Sequence, residues 1–226
     1  MARRLRAVSL GDQLAEILRA QIVDGELPAG THLVEDSLAA DHDVSRGPVR
    51  DAIKTLMAEG WLESRRRGFF VREFTATDIT ELYQIREAAE QLAAALAITQ
   101  ATASDWQRAQ SLGVEMQHAA DERDQHAFAV ADLAFHCELY ELSGNTRLLA
   151  LWRQFQPTFA ALLDVTNRQD ADLHPSAVDH QLLLDAAVAA DLPALSARLG
   201  THLAGSRLRM VEALARRQPT QTTPRE

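Results

Sequence analysis

The hydrophobic and polar positions of this 226-residue chain fall into two regimes. In the first third, short periodic runs alternate with turn residues. From Asp78 onward, apolar residues recur at helical spacing almost without a break. Leu10, Leu14, Ile17, Leu18 and Ile22 share one face of a helix over residues 9–24, with Ser9 placed to cap it. Gly25, Pro28 and Gly30 mark a turn, and Thr31 to Val34 allows a short strand. Residues 35–41 read as a short helix that buries Leu38. Asp43-Val44-Ser45 links it to a second helix over residues 46–59, with Val49, Ile53, Leu56 and Met57 on its apolar face. Pro48 lies in the first turn, where a missing N–H is harmless, and Gly60 suits the position after the end. Trp61-Leu62 and Phe69-Phe70-Val71 flank the basic turn Arg65-Arg66-Arg67-Gly68 and predict a β-hairpin.

Three helices followed by a hairpin is the layout of a winged helix-turn-helix, assigned to residues 1–73, with a linker at 74–77. Beyond it, six helices are expected at roughly 78–100, 104–122, 124–143, 146–166, 176–190 and 192–215. Thr102/Ser104, Ser143-Gly144-Asn145, His174-Pro175 and Asp191 with Pro193 separate them. The fold class is therefore mainly α: the winged unit, then an all-α antiparallel six-helix bundle at 78–215. Residues 216–226 are polar with two prolines and are expected to be a disordered tail.

Composition refines this picture. Hydrophobic residues make up 46%, much of it Ala and Leu, which excludes a wholly disordered chain and favours helix. Cys137 is the one cysteine, so no intrachain disulfide forms, and a reducing cytoplasmic setting is the simplest expectation. No signal peptide and no membrane span are expected. The net charge of −9 argues against nucleic acid until it is mapped. Residues 1–73 hold 11 Lys/Arg against 12 Asp/Glu, and the rest hold 12 against 20. The acid sits mostly in the bundle, and DNA binding needs only a local basic face.

In a helix-turn-helix the second helix enters the major groove N-terminus first. Here it opens Ser45-Arg46-Gly47-Pro48-Val49-Arg50. Arg46 and Arg50 are four apart on one face, and arginine donates two hydrogen bonds to guanine N7 and O6. Ser45 and the helix N-terminus suit a phosphate. Arg65, Arg66 and Arg67 at the hairpin tip could grip phosphates or the minor groove, and Gly68 would let the tip come close. The competing reading is a solvated helix face and a charged turn; order and spacing together favour DNA.

In the bundle, His136 lies four residues after Asp132, so both can point from one helix face. His180 and His202 lie on the last two helices. Converging, these four would suit Zn²⁺, Ni²⁺ or Mn²⁺ with positions left open. On spacing alone, isolated core or surface histidines remain the competing reading.

The stretch Leu14–Val71 resembles the GntR-type winged-helix domain. The resemblance is carried by Ile22-Val23-Asp24-Gly25, Pro28-Ala29-Gly30, Leu33, Leu38-Ala39, Val44 to Ala52, Leu56, Glu59-Gly60 and Gly68. It implies a DNA face with Arg46 and Arg50 at its centre. Ser45, Gly47 and the wing glycine Gly68 lie beside them, flanked by Glu35, Arg65, Arg66 and Arg67. Many members carry a DNA-contacting arginine after the glutamate that opens the short helix before the recognition helix. Here Asp36 follows Glu35, so that contact is lost and operator preference should differ.

Residues 78–212 resemble the FadR-type C-terminal ligand-binding domain, through Glu81 to Glu87, Asp132 to His136, Ser143-Gly144-Asn145, Asp179-His180 and His202-Leu203. Six helices rather than seven are similar to its VanR-like subgroup. The resemblance implies Asp132, His136, His180 and His202 as metal ligands, and Arg86 as the binder of an organic-acid carboxylate. An ion pair of Arg86 with Glu90 or Glu87 is the competing role for that arginine.

The expectation is a homodimeric, non-enzymatic transcriptional regulator. It would bind a two-fold related double-stranded DNA operator under control of a small carboxylate near a divalent metal. Repression is the commoner mode, and the sequence leaves the sign, the metal, the effector and the operator open. Two rival readings compete with it. One is a metal-dependent hydrolase or lyase using the His/Asp cluster, with Glu90 the nearest general-base candidate. The other is a nucleic-acid-binding structural protein without ligand, in which the four residues do not converge.

Overall fold

A computed structural model describes residues 8–217, and the chain divides into two compact units between Phe74 and Thr75. The first unit comprises α1 (Leu10–Asp24), β1 (His32–Leu33), α2 (Glu35–Asp41), α3 (Arg46–Ala58), β2 (Leu62–Arg65) and β3 (Gly68–Val71). Ser9 caps α1 by accepting from the Asp12 N–H, and Gly25 ends it in the left-handed conformation that glycine adopts at least cost. α1 packs on α3 through Leu14 and Leu18 against a face of Val49, Ile53 and Leu56, all buried. Ile17 is exposed, because the buried face of α1 is centred on Gly11, Leu14, Ala15 and Leu18 and Ile17 turns off it. The Arg19 guanidinium forks onto the Glu59 carboxylate at 2.7 and 2.6 Å, a buried tie between α1 and the end of α3.

The hairpin expected from the sequence forms with Leu62 opposite Val71 and Arg65 opposite Gly68, leaving Arg66-Arg67 as its turn. β1 joins it as a third antiparallel strand, giving the order β1-β3-β2.

The second unit comprises α4 (Ala76–Gln100), α5 (Gln107–Glu122), α6 (Gln125–Leu142), α7 (Thr146–Gln169), α8 (His174–Val188) and α9 (Leu192–Arg217). α4 takes in Ala76 and Thr77, assigned above to the linker. Thr75 and Asp78 form a reciprocal capping box that starts the helix there. α8 starts at His174, where a separating turn was expected, because Pro175 falls in the first turn and needs no N–H. Arg216 and Arg217, expected in the tail, belong to α9; residues 218–226 lie outside the described residues. Asn145 caps α7 by accepting from the N–H groups of Arg147 and Leu148.

α6 occupies the middle of the bundle, packed against α4, α5 and α7, and buries Phe128, Leu133, Phe135, Leu139 and Tyr140. That placement carries Asp132 and His136 into the core rather than onto a surface. No helix among the described residues is long and apolar enough to cross a membrane.

Candidate functional site

Four helices bring six polar side chains together in the bundle core: Arg86 and Glu90 from α4, Asp132 and His136 from α6, His180 from α8 and His202 from α9. All six are buried, and Glu90, His136 and His180 have no exposed surface. His136 Nε2 lies 3.3 Å from the Nε2 atoms of both His180 and His202. Asp132 closes the group, with one oxygen 3.2 Å from His180 Nε2 and the other 3.9 Å from His136 Nε2. The ligand set named from the sequence therefore converges.

The far side of each ring decides what this convergence can hold. His180 Nδ1 faces the Ser176 carbonyl at 2.7 Å, and a carbonyl only accepts, so Nδ1 carries a hydrogen and Nε2 is the nitrogen turned to the cluster. His136 Nδ1 donates to the Glu90 carboxylate, which leaves its Nε2 with a lone pair. Burial lowers the His136 imidazole below its ordinary range, against the pull of Glu90, so it stays neutral. Burial, reinforced by His180 and His136, lowers His202 further. Burial works to raise Asp132, but the charge and hydrogen bond of His180, then His136 and Arg86, hold it well below the usual carboxylate range. The Nε2 atoms of three histidines and an ionised carboxylate thus face one another. The chemistry of this donor set fits a divalent transition cation, with a hydrogen-bonded outer shell behind two of the ligands.

Glu90 is the residue that sequence reasoning undervalued. One oxygen accepts from His136 and the other from Arg86 Nε at 3.0 Å, so it joins the arginine to the histidine cluster. Burial works to raise its carboxyl, but His136 and Arg86 outweigh that and keep it ionised. The i,i+4 relation of Glu90 to Arg86 was legible, whereas its partner on α6 is 46 residues away in sequence. Arg86 makes the ion pair with Glu90. Its Nε is paired with Glu90, while its Nη2 is buried with no hydrogen-bond partner. The guanidinium lies against the rings of Tyr83, Trp152 and Phe159, which hold it in place. Cys137 is only half-buried, not a core residue, with its thiol directed at Glu141.

In the first unit Ser45 is the exposed N-cap of α3 and makes no side-chain cap bond. Arg46 and Arg50 are exposed. Each is paired with an acid of α2: Arg46 Nε is 2.6 Å from Asp36, and Arg50 Nε is 2.9 Å from Glu35. A Cβ at Gly47 would meet only Ser45 Oγ at 3.8 Å, so nothing inside the unit requires glycine there. Gly68 differs. Its φ is +132°, and a Cβ would come within 2.5 Å of His32 Nε2, so the fold itself demands it. Arg65 pairs with Glu63 and lies over the Phe70 ring, leaving Arg66 and Arg67 exposed at the hairpin tip.

Residues 10–71 match the family described as "Bacterial regulatory proteins, gntR family", and residues 81–205 match the FCD domain. The chain belongs to the GntR family of bacterial transcriptional regulators. It is 30% identical over 202 residues to the "Probable D-xylose utilization operon transcriptional repressor" of Paenarthrobacter nicotinovorans, covering 89% of this chain and 88% of that one. It is 28% identical to the gluconate operon transcriptional repressor of Bacillus licheniformis, covering 80% and 74%. The solved structure of E. coli McbR/YncC superposes with a TM-score of 0.74 at 25% identity, covering 91% of this chain and 99% of that one. These relatives are regulators, and nothing supports the hydrolase or lyase alternative. Glu90, the general base such an enzyme would need, has both oxygens committed to Arg86 and His136.

Glu90→Gln tests the outer shell. A second-shell change of this kind weakens metal affinity roughly 10–100-fold. Chelator competition should therefore show Zn²⁺ or Ni²⁺ binding that much weaker in Glu90→Gln, with the helical content unchanged. Equal affinity would remove Glu90 from the site.

Proposed function

We propose that this GntR-family regulator is a homodimeric repressor whose grip on a two-fold related DNA operator is set by a small carboxylate. The carboxylate would bind in the bundle beside a divalent transition metal. Asp132, His136, His180 and His202 are the assigned ligands. A cation there would balance the Asp132 charge and offer open positions to an effector oxygen. Arg86 is assigned the effector's carboxylate. The single observation carrying this reading is its Nη2, a buried donor without a partner, on the guanidinium that Glu90 ties to the histidine cluster. A buried unpaired donor is costly, and a carboxylate oxygen would satisfy it.

On the DNA side, Arg46 and Arg50 are assigned to bases. Ser45, the N–H groups of α3, Arg66 and Arg67 are assigned to phosphates, with Arg65, Glu35 and Gly68 beside them. Gly47 suits close approach of the α3 backbone to the duplex, since the fold does not need it. A protein acting on chromosomal operators works in the cytoplasm.

The test uses metal-loaded protein and a thermal-shift panel of acetate, lactate, succinate, citrate and gluconate. Gluconate is included because two relatives are named for gluconate operons. A carboxylate at a hundred times its Kd should stabilise the wild type by about 2.7 kcal/mol. Arg86→Ala should keep its metal and lose that shift. A full shift in Arg86→Ala would make the arginine a structural ion-pair residue.

A further inference from the structure

The proposed DNA face contains two carboxylates. Negative charge beside duplex phosphates lowers affinity for every sequence. Yet Glu35 and Asp36 open α2 next to the start of α3, and each engages one recognition-helix arginine by its Nε edge. Stability does not explain Asp36. The side chains of Arg46 and Asp36 are 62% and 64% exposed, and ion pairs that exposed contribute little to folding.

Geometry gives them another use. A free arginine side chain sweeps a wide volume and settles on whichever phosphate is nearest. Pinning the Nε edge fixes the guanidinium plane and leaves the two outer nitrogens as a fork, which is the arrangement that matches guanine N7 and O6. The acids are themselves held in place. Both lie in the first turn of α2, where the helix dipole favours anions, and buried Leu38 anchors that helix.

We infer that Asp36 and Glu35 are specificity-determining positioning residues that hold Arg46 and Arg50 for guanine recognition at the expense of general DNA affinity. The inference rests on the reading that those arginines contact bases. It predicts a signature that plain surface charge cannot produce. Removing the acid raises affinity for unrelated DNA while lowering discrimination at one base position.

The experiment selects binding sites from a random duplex pool with the full-length wild type, Asp36→Ala, Glu35→Gln and Arg46→Ala. It then measures Kd at one salt concentration for the best wild-type site and for a scrambled duplex. Asp36→Ala should bind the scrambled duplex several-fold more tightly. Its specific-to-scrambled ratio should fall on the order of ten-fold, and it should lose the same guanine that Arg46→Ala loses. Glu35→Gln keeps a hydrogen-bond acceptor for Arg50 and should lose a different guanine only partly. If Asp36→Ala keeps the guanine and tightens equally on all duplexes, the acids are ordinary surface charges and the inference is overturned. If it loses a cytosine at another position, Asp36 reads a base itself, which also overturns it. If Arg46→Ala keeps the wild-type site unchanged, base reading by Arg46 fails first and the inference falls with it.

Discussion

The double variant Arg46→Ala/Arg50→Ala is expected to lose operator recognition almost completely. Each arginine is exposed at the start of α3, with its Nε turned to an acid of α2. A bidentate contact to a base contributes about 1–3 kcal/mol of discrimination. Two contacts at separate bases add to about 2–6 kcal/mol, or roughly thirty-fold to twenty-thousand-fold in operator Kd. Binding to unrelated duplex should fall far less, because Arg66, Arg67 and the α3 N-terminus remain for phosphates. The melting temperature should not move, since neither side chain is in the core. Fluorescence anisotropy on operator and scrambled duplexes measures both effects, and an unchanged operator Kd would refute the assignment of α3.

His136→Ala carries the second large effect. His136 stands at the centre of the cluster, within 3.3 Å of both other histidines and bonded behind to Glu90. Its removal should reduce metal content well below stoichiometry and weaken affinity more than the 10–100-fold expected for an outer-shell change. Metal at a hundred times its Kd stabilises by about 2.7 kcal/mol, or roughly 5–10 °C for a chain of this size. Added Ni²⁺ or Zn²⁺ should therefore raise the melting point of wild-type protein and leave His136→Ala unmoved.

The pH dependence has a definite sign. Burial lowers His136 and His202 below the ordinary histidine range, so the unfolded chain binds their protons more readily than the folded one. Their contribution to stability is complete above about pH 6.5 and is lost as pH falls through the lower, folded-state values. Melting of metal-free protein should drop across that window. Metal-loaded protein should hold out to lower pH, because the ion competes with the protons.

Much of this was legible in the pattern of residues. The hairpin followed from two apolar runs about a basic turn, and α2 from residues 35–41 alone. Asp132 and His136 announced themselves by i,i+4 spacing, a local signal that helix geometry translates directly into a shared face. His180 and His202 carried no such spacing, only their places on the last two helices, and resemblance to known regulators strengthened their assignment as ligands. Glu90 shows what spacing cannot supply. Its link to Arg86 lies within one helix, but its link to His136 depends on how α4 and α6 pack. The pairing of Arg46 with Asp36 was hidden for the same reason, since it joins side chains on two helices ten residues apart. Helix boundaries were misplaced where a cap overrode periodicity: Thr75 with Asp78 drew α4 forward into the expected linker.

The central claim is that a carboxylate bound at Arg86 beside the metal controls DNA binding. It is tested by titrating operator duplex into metal-loaded protein with and without the carboxylate that gives the largest thermal shift, using wild type and Arg86→Ala. The predicted result is an operator Kd that changes with carboxylate by about 5–150-fold in the wild type and stays constant in Arg86→Ala. Linkage then requires operator DNA to change carboxylate affinity by the same factor. An operator Kd that responds equally in both proteins, or in neither while the carboxylate is bound, would contradict the account.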